Sequence, residues 1–370
     1  MKTLCATKRL QNTKLFKEYI SLRDEYYKLS LEKEYKQQSF FTNKQFIKKS
    51  TGEFISPNYS FENYYKKYTK SIEQKVYCIE QMAREKKLVP IFLTITLDSR
   101  FHPFQAITRD SKRLYTSLNK SFIFADIETA VKSGYEQLQH IYRVFYKRCK
   151  AVVGDLYFVK TYEAHKSLIP HLHILFFVPK SDIKIIRKKF NKIKEEFNLD
   201  QVDFELVNDE LQEKETSTLK TGLKRASKYL MKYITKSIQE DAFGCRLIDG
   251  WKRKNRIRMI TSSNLDLSLS DYRTIYHNLD EDSKNSLLER AKKEDVNIFY
   301  YILKNLYKAK VIKKDNKTIV KQYGDIDKAT IRLFMTVTQT ATGSYKTNNL
   351  TFFIDDYIYE KESYLIVRRY

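Results

Sequence analysis

The feature that most constrains the fold is the run Pro-His-Leu-His-Ile-Leu-Phe-Phe at residues 170–177. An apolar run of this length favours a buried strand. Alternate side chains of a strand point to opposite faces, so His171 and His173 share one face while Leu172, Ile174 and Phe176 face a core. The chain must therefore build a sheet that carries two imidazoles on one side and an apolar core on the other.

The pattern around this run predicts an α+β fold. Residues 155–163 read as a strand that forms an antiparallel hairpin with 171–178. Turn residues and hydrophobic periodicity give the other elements: helices over 61–83, 126–150, 181–197, 224–239 and 283–309; strands over 91–97, 201–207 and 256–260; a polar linker over 209–222; and β-like segments after 317. We expect a helical, Lys- and Tyr-rich region at 1–88, a central domain at 89–265 and a mixed α/β accessory region at 266–370.

The charge of the chain indicates a polyanionic partner. Lys and Arg number 69 against 45 Asp and Glu, a formal net charge of +24, and such an excess is typical of nucleic-acid binding. No apolar run approaches the ~18–20 residues of a membrane-spanning helix, and the N-terminus lacks the apolar core of a signal peptide. The basic segment after Trp251 supplies candidate DNA contacts: Lys252, Lys254, Arg256 and Arg258. A Lys-rich composition that reflects codon usage is the alternative.

The cysteines and glycines exclude several classes of protein. The four cysteines at 5, 78, 149 and 245 lack the short spacing of a zinc site, which predicts a reduced cytoplasmic protein with ordinary thiols. No GxxxxGK[ST] motif is present, so the sequence contains no P-loop motor.

The two histidines of the central run are candidate metal ligands. Imidazoles two apart on a strand can hold one divalent ion, and a carboxylate partner shifts the preference toward Mg²⁺ or Mn²⁺. Glu163, on the preceding strand, is the expected third ligand, and His165 is the alternative. The competing interpretation is a polar or hydrogen-bonded histidine pair with no metal. His140 and His277 have no such neighbours and are interpreted as structural.

Two tyrosines are candidate nucleophiles. Tyr229 and Tyr233 are four residues apart, so a helix places them on one face. Lys232 and Lys236 each follow a tyrosine by three residues. A phenol with a pKa near 10 is a weak nucleophile, but a metal and nearby lysines that stabilise developing charge make it useful. An ordinary amphipathic helix with aromatic residues in its packing face is the alternative.

These stretches, in this order, resemble the HUH endonuclease superfamily, and within it the gene A-type rolling-circle replication initiators of phages and plasmids. Three blocks carry the resemblance: the Thr-rich strand and Ser-x-aromatic-His at 92–103; Glu-x-His at 163–165 with Pro-His-x-His at 170–173; and the doubled Tyr-x-x-Lys at 229–236. They span about residues 90–260. Asp98 replaces a proline that many relatives carry, and Ser167-Leu168-Ile169 occupies a loop that often contains glycine.

The resemblance implies a fold and an activity. The fold is an antiparallel sheet with packed helices, in which the tyrosine helix covers the metal held by His171, His173 and Glu163. The activity is site-specific nicking of single-stranded DNA at a replication origin through a 5′-phosphotyrosyl ester, with Tyr229 and Tyr233 as nucleophiles. Mg²⁺ or Mn²⁺ is the implied cofactor, host helicase and polymerase are candidate partners, and the bacterial cytoplasm is the implied location.

Two other functions compete with this interpretation. A non-catalytic origin-binding protein explains the charge but not the Glu, His and Tyr pattern. A two-tyrosine HUH transposase uses the same chemistry, although such enzymes typically carry a zinc-binding module, for which the cysteine spacing gives no support.

Overall fold

The computed structural model describes nine segments of the chain: residues 6–109, 112–199, 201–206, 225–239, 242–314, 317–339, 345–355, 357–360 and 364–368. About 50% of the structure is helix and 27% is strand. Several antiparallel sheets carry the strands, which confirms the predicted α+β class.

Ten α-helices and two short 3₁₀ turns occur in these segments. The α-helices are α1 Lys8–Gln11, α2 Lys14–Thr42, α3 Phe61–Glu85, α4 Ile127–Lys150, α5 Ile183–Glu196, α6 Arg225–Gln239, α7 Ala242–Lys254, α8 Leu269–Asn278, α9 Glu281–Lys293 and α10 Ile298–Lys304; the 3₁₀ turns are Ser99–Phe101 and Lys180–Asp182.

Fifteen strands occur in the same part of the chain. They are β1 Lys44–Lys48, β2 Phe54–Ile55, β3 Val89–Ile95, β4 Phe104–Arg109, β5 Lys112–Leu118, β6 Tyr157–Ala164, β7 Pro170–Val178, β8 Val202–Leu206, β9 Ile260–Ser262, β10 Leu306–Lys314, β11 Lys317–Tyr323, β12 Ile331–Gln339, β13 Tyr345–Ile354, β14 Tyr357–Glu360 and β15 Tyr364–Arg368.

The chain divides into two compact units. The first comprises Met1–Gln38 and Tyr59–Ser263, and the second comprises Ser39–Asn58 and Asn264–Tyr370. The histidine and tyrosine motifs all lie in the first unit.

The centre of the first unit is a five-stranded sheet in the order β8-β3-β7-β6-β9, in which every neighbouring pair is antiparallel. The predicted hairpin is confirmed: β6 pairs with β7 in a register that sets Glu163 opposite His171 and Thr161 opposite His173. On the other side of β7, Thr94 lies opposite His173. The histidine strand is therefore the middle strand of the sheet.

Alternation along β7 separates the two faces of this sheet. Ile174 and Phe176 are fully buried, and Phe176 packs edge-on against Phe145 of α4 at 5.7 Å between ring centroids. Each such side chain contributes about 1.5–3 kcal/mol through burial. The opposite face carries His173, whose ring stacks on Tyr233 of α6. The helices α4 and α6 thus cover opposite faces of the sheet.

Helix α7 is anchored by a close approach to the backbone of α2. A Cβ atom on Gly250 would lie 1.8 Å from the carbonyl oxygen of Tyr26, so only glycine permits this crossing. Trp251, the next residue, is fully buried and donates from Nε1 to the carbonyl oxygen of Leu168 at 2.9 Å. This bond fixes α7 to the loop between the two strands of the hairpin.

Two of the predicted elements differ from the structure. The helical region expected over 283–309 consists of two helices, α9 and α10, and ends in the start of β10, because Asp295 adopts a left-handed φ of 53° and Asn297 caps a new helix. The strand expected over 256–260 begins only at Ile260, since Arg256 has a φ of 52°. The predicted polar linker at 209–222 lies outside the described residues.

The described residues of the second unit form two sheets and three helices that lie wholly within it. One sheet has the order β11-β10-β12-β13-β14, with β10 and β12 parallel, and the other has the order β15-β1-β2. Its helices are α8, α9 and α10. Among the helices of the nine described segments, none combines the length and the hydropathy that a membrane-spanning helix requires.

Candidate active site

His173 is the most enclosed of the predicted ligands. It is 3% exposed, its Nε2 lies 3.0 Å from Oε2 of Glu163, and its Nδ1 lies 3.2 Å from the Thr94 hydroxyl. The antiparallel register places Glu163 diagonally across from His173 on the same face, which is why the carboxylate reaches it. The structure thus brings Glu163 and His173 together as a hydrogen-bonded pair.

His171 belongs to a cluster of three imidazoles. Its ring stacks on His165 with centroids 4.7 Å apart and an interplanar angle of 3°, and His102 meets both rings edge-on at 5.7–5.9 Å. The Ser167 hydroxyl lies 3.1 Å from Nδ1 of His165 and 3.4 Å from Nδ1 of His102. Both candidate third ligands therefore lie beside a predicted histidine: Glu163 beside His173, and His165 beside His171.

The chemistry of these histidine side chains is compatible with metal binding. Nε2 of His171 is buried and has no hydrogen-bond partner among the described residues. Burial, followed by the neighbouring imidazoles of His165, His102 and His173, lowers the pKa of His171 well below its usual value. The ring is therefore neutral at pH 7, which is the form that binds metals. As the side chains stand, no group of three described His, Cys, Asp or Glu residues converges closely enough to hold an ion.

Helix α6 packs its apolar face on the sheet and presents the tyrosines to the histidines. Leu230, Met231 and Ile234 are buried. One turn apart on the same side, Tyr229 and Tyr233 are both partly buried. The apolar period of the helix and the tyrosine spacing coincide, so packing the helix also positions the phenols.

The two phenols are in direct contact with each other and with the histidine strand. The Tyr233 hydroxyl donates to the Tyr229 hydroxyl at 2.8 Å, and the Tyr233 ring stacks on His173 with centroids 3.9 Å apart. Phe92 of β3 packs edge-on against Tyr229 at 4.6 Å. Burial, and then the hydrogen bond to Tyr229, raises the pKa of Tyr233. Its phenol therefore stays protonated at neutral pH unless a cation stabilises the phenolate.

Of the two predicted lysines of α6, the structure describes the side chain of Lys232. Lys232 is exposed, and no hydrogen bond or salt bridge joins it to Tyr229 or Tyr233 in the described part of the site. Lys236 lies in α6, but its side chain is outside the described residues. Both lysines remain predicted catalytic residues that would stabilise the charge developing at the scissile phosphate.

Among the predicted DNA contacts, Lys252 is part of a buried ionic cluster. Asp249 is fully buried and bonds to Lys252 at 2.9 Å and to Arg253 at 2.7 Å. Lys252 also donates to the Tyr65 hydroxyl at 3.1 Å. The charge of Lys252 is thus compensated inside the protein.

Of the other three basic candidates, the lysine is paired with carboxylates and the two arginines are not. Nζ of Lys254 bridges Glu25 at 2.6 Å and Glu128 at 2.8 Å. Arg256 and Arg258 are exposed and form no salt bridge within the described residues. The two arginines are the members of this set whose charges are available to a ligand.

Replacing Asp249 by asparagine should destabilise the protein by about 3 kcal/mol, because it leaves two cations without their buried anion. Burial acts to raise the pKa of Asp249, but Arg253 and Lys252 outweigh it and hold that pKa below its usual range. The stabilisation is therefore present above the unfolded pKa of about 3.9 and is lost as pH falls through the lower folded pKa.

Urea unfolding of the wild type and of Asp249→Asn from pH 3 to 7 measures this effect. Asp155→Asn is the control, since Asp155 forms an exposed salt bridge with Lys86 at 2.7 Å that is worth less than about 1 kcal/mol. Equal losses for the two variants at pH 7 would contradict the role of the Asp249 cluster.

Several residues of the site were not among the predicted site residues. Thr94 and Thr96 hold the Nδ1 atoms of the two strand histidines at 3.2 and 3.5 Å, and Phe92 contacts both tyrosines. His102 reaches the cluster through a loop. All four residues lie in the first of the three sequence blocks, at 92–103. Phe92, Thr94 and Thr96 occupy alternate positions of that block, and this alternation is the sequence pattern that could have identified them.

In the hairpin loop, a leucine takes the left-handed conformation that a glycine would ordinarily adopt. Leu168 adopts a φ of 74°, a conformation that ordinarily favours glycine, and its side chain is fully buried. Its carbonyl oxygen accepts the bond from Trp251. Burial and this hydrogen bond offset the backbone strain, which is of order 1–3 kcal/mol.

Comparison with known proteins gives one result. The model of the bacteriophage replication gene A protein (GPA) family matches residues 21–241, which are 221 of the 370 residues. No match was found among curated proteins or among solved structures. The matched range contains the histidine strand, the hairpin and the tyrosine helix. The chain belongs to the bacteriophage replication gene A protein family and has a role in the initiation of phage DNA replication.

Proposed function

We propose that this protein is an HUH-type nickase that starts rolling-circle replication by cutting one DNA strand with a tyrosine. One observation carries the proposal: the tyrosine pair lies directly over the histidine strand. The Tyr233 ring is 3.9 Å from the His173 ring, and the Tyr229 hydroxyl is 2.8 Å from that of Tyr233. Neither a helix that merely packs nor a surface that merely binds DNA needs two phenols at this place.

The reaction is a phosphoryl transfer. The oxygen of Tyr229 or Tyr233 attacks the scissile phosphorus and forms a phosphotyrosyl ester with the 5′ end, while the bond from phosphorus to the 3′ oxygen breaks. The phenol loses one proton and the departing 3′ oxygen gains one, so the step is balanced. Because the ester replaces a phosphodiester of similar energy, the reverse reaction rejoins DNA without ATP. This matches a chain that has no P-loop motif.

A divalent metal fits the chemistry of the site. Held by His171 and His173, with Glu163 or His165 as third ligand, Mg²⁺ or Mn²⁺ would polarise the scissile phosphate and stabilise its developing charge. The buried, unbonded Nε2 of His171 supports this assignment. The raised pKa of Tyr233 supports it as well, since a phenol in this environment needs a nearby cation to act as a nucleophile.

Two tyrosines permit a repeated cycle. While one phenol holds the 5′ end of the old strand, the other attacks the regenerated origin, and the roles then exchange. The direct hydrogen bond between the two hydroxyls supports this scheme, because it places both oxygens within reach of one phosphate after a small shift.

The DNA is single-stranded at the cut. Membership of a replication initiator family implies DNA binding at an origin, and the net charge of +24 suits such a ligand. Host helicase and polymerase are the proposed partners that extend the released 3′-OH and displace the old strand.

An end-labelling assay tests the proposal. The protein is incubated with Mn²⁺ and a single-stranded origin oligonucleotide that is labelled at the 5′ or at the 3′ end. We expect the 3′-labelled fragment to migrate with denatured protein, since that fragment carries the new 5′ end, and the 5′-labelled fragment to run free. Label that never migrates with protein under any metal condition would leave only a DNA-binding function.

A further inference from the structure

A cluster of cations without carboxylate partners lies on the face of the central sheet opposite the tyrosines. We propose that Arg143, Lys160 and Arg258, with the Tyr142 hydroxyl, form a second site that binds a phosphate group. This inference deepens the proposed function, on which it rests in one respect: the expected source of the phosphate is the backbone of the bound DNA.

Lys160 is a buried lysine whose ammonium group contacts two tyrosine side chains. Its side chain is 7% exposed, Nζ lies 3.6 Å from the centroid of the Tyr142 ring, and it donates to the Tyr162 hydroxyl at 3.4 Å. No salt bridge joins it to a carboxylate within the described residues. Burial, followed by the positive charges of Arg258 and Arg143, lowers the pKa of Lys160 to about 8. A bound anion would counteract the part of this pKa lowering that the two arginine charges cause.

The backbone brings Arg258 to this lysine. The amide of Arg258 donates to the Tyr135 hydroxyl at 3.0 Å, and the carbonyl oxygen of Met259 accepts from the amide of Tyr162 at 2.9 Å. The rings of Tyr135 and Tyr162 are 4.8 Å apart. The segment before β9 therefore runs alongside the tyrosine that contacts Lys160.

Arg143 reaches the same place from α4. It follows Tyr142, whose ring covers Lys160, and its charge adds to the lowering of the Lys160 pKa and opposes the rise that burial causes in the pKa of Tyr162. Its side chain is exposed, and no salt bridge engages it in the described part of the chain. Arg148, one turn and a half along the same helix, differs: it bonds to Glu196 at 2.6 Å.

The cluster also contains a buried polar atom whose hydrogen-bonding capacity a phosphate would use. The Tyr142 hydroxyl is buried and has no hydrogen-bond partner among the described residues, and its side chain is 6% exposed. An unsatisfied buried hydroxyl costs about 1–3 kcal/mol. Three uncompensated cations next to an unpaired donor match the needs of a phosphate, which offers several acceptor oxygens and negative charge.

The site is distinct from the tyrosine site. Lys160 and Tyr162 project from β6 toward α4, whereas Glu163 projects toward the histidines and α6. A DNA strand bound at both sites would pass round the edge of the sheet that β9 forms. Lys160 and Tyr142 form the floor of the proposed site, and the two exposed arginines form its rim.

Binding of DNA without cleavage tests the proposal. The full chain carrying Tyr229→Phe and Tyr233→Phe is titrated, in the presence of EDTA, with a fluorescent single-stranded 20-mer over a range of KCl concentrations. Arg143→Met and Arg258→Met should each reduce the log–log salt slope by about 0.7, the value for one lost phosphate contact on a single strand. Arg148→Met is the matched control and should leave the slope unchanged. Because no metal or nucleophile is present, the result is independent of whether the protein nicks DNA.

A second measurement separates DNA from a free phosphate compound. Pyrophosphate should raise the melting temperature of the parent protein and should not raise that of Arg143→Met or Lys160→Met. Unchanged DNA slopes together with this pyrophosphate effect would support the site and identify a free phosphate compound as its ligand. Unchanged slopes and no pyrophosphate effect in the parent would overturn the proposal. If Lys160→Met fails to fold, the two exposed arginine variants carry the test.

Discussion

Replacing both Tyr229 and Tyr233 by phenylalanine should abolish every covalent DNA–protein adduct, because the Tyr233 ring stacks on His173 and the Tyr229 ring packs against Tyr233. The substitutions keep both rings, so packing against Phe92 and His173 is preserved. Adduct formation on a single-stranded origin oligonucleotide with Mn²⁺, followed on a denaturing gel, measures the effect. We expect a loss to background, and an adduct that persists in the double variant would place the nucleophile elsewhere.

Each single tyrosine variant should retain some nicking and lose the coupled cut-and-rejoin cycle, since no free phenol remains while the other is esterified. Tyr64→Phe with Tyr68→Phe is a matched control, because these tyrosines are also four apart on a helix and have their ring centroids 6.3 Å apart. The control should nick normally. If one single substitution at 229 or 233 removes all adduct, the other tyrosine serves only in packing.

Replacing His171 and His173 together by alanine should reduce cleavage by roughly 10³-fold or more, as expected when several kcal/mol of metal stabilisation are removed. Salt-sensitive DNA binding and folding should persist. Mn²⁺ should raise the melting temperature of the wild type through preferential binding to the folded state, and this shift should vanish in the double variant. His140→Ala, a histidine that packs on Phe197 outside the site, should keep both the shift and the activity.

The third ligand is decided by ranking two further variants. Glu163 pairs with His173, whereas His165 stacks on His171, so each is next to one predicted ligand. We expect Glu163→Ala to weaken the Mn²⁺ shift more than His165→Ala, because a carboxylate adds charge to the ligand set. The reverse order would make His165 the third ligand. Full cleavage by the double histidine variant with added Mn²⁺ would contradict the metal assignment.

The local residue pattern was enough to predict the strands and the helix face that hold the candidate site. The alternation at 170–178 predicted the buried strand, the strand that pairs with it and the two faces of the sheet. Because side chains alternate with a period of two, only one antiparallel register keeps the apolar residues on the buried face. The tyrosine spacing predicted a shared helix face. The family match then confirmed a phage replication protein.

Features that depend on long-range contacts could not be predicted in this way. The approach of His102 to His165 and His171 depends on how a loop folds back over the sheet, and the left-handed Leu168 depends on Trp251 some eighty residues later. The salt bridges of Lys254 to Glu25 and Glu128 likewise join distant parts of the chain. Composition alone cannot distinguish such a compensated lysine from one that meets DNA.

Peptide mapping of the covalent product tests the central claim most directly. The wild-type protein is incubated with single-stranded replicon DNA and Mn²⁺ or Mg²⁺, digested with nuclease and protease, and analysed by mass spectrometry. We predict a nucleotide linked through a phosphotyrosyl ester to Tyr229 or Tyr233, and no such product when EDTA is present. A nucleotide on any other residue, or no linked peptide under conditions in which the DNA is cut, would contradict the tyrosine mechanism.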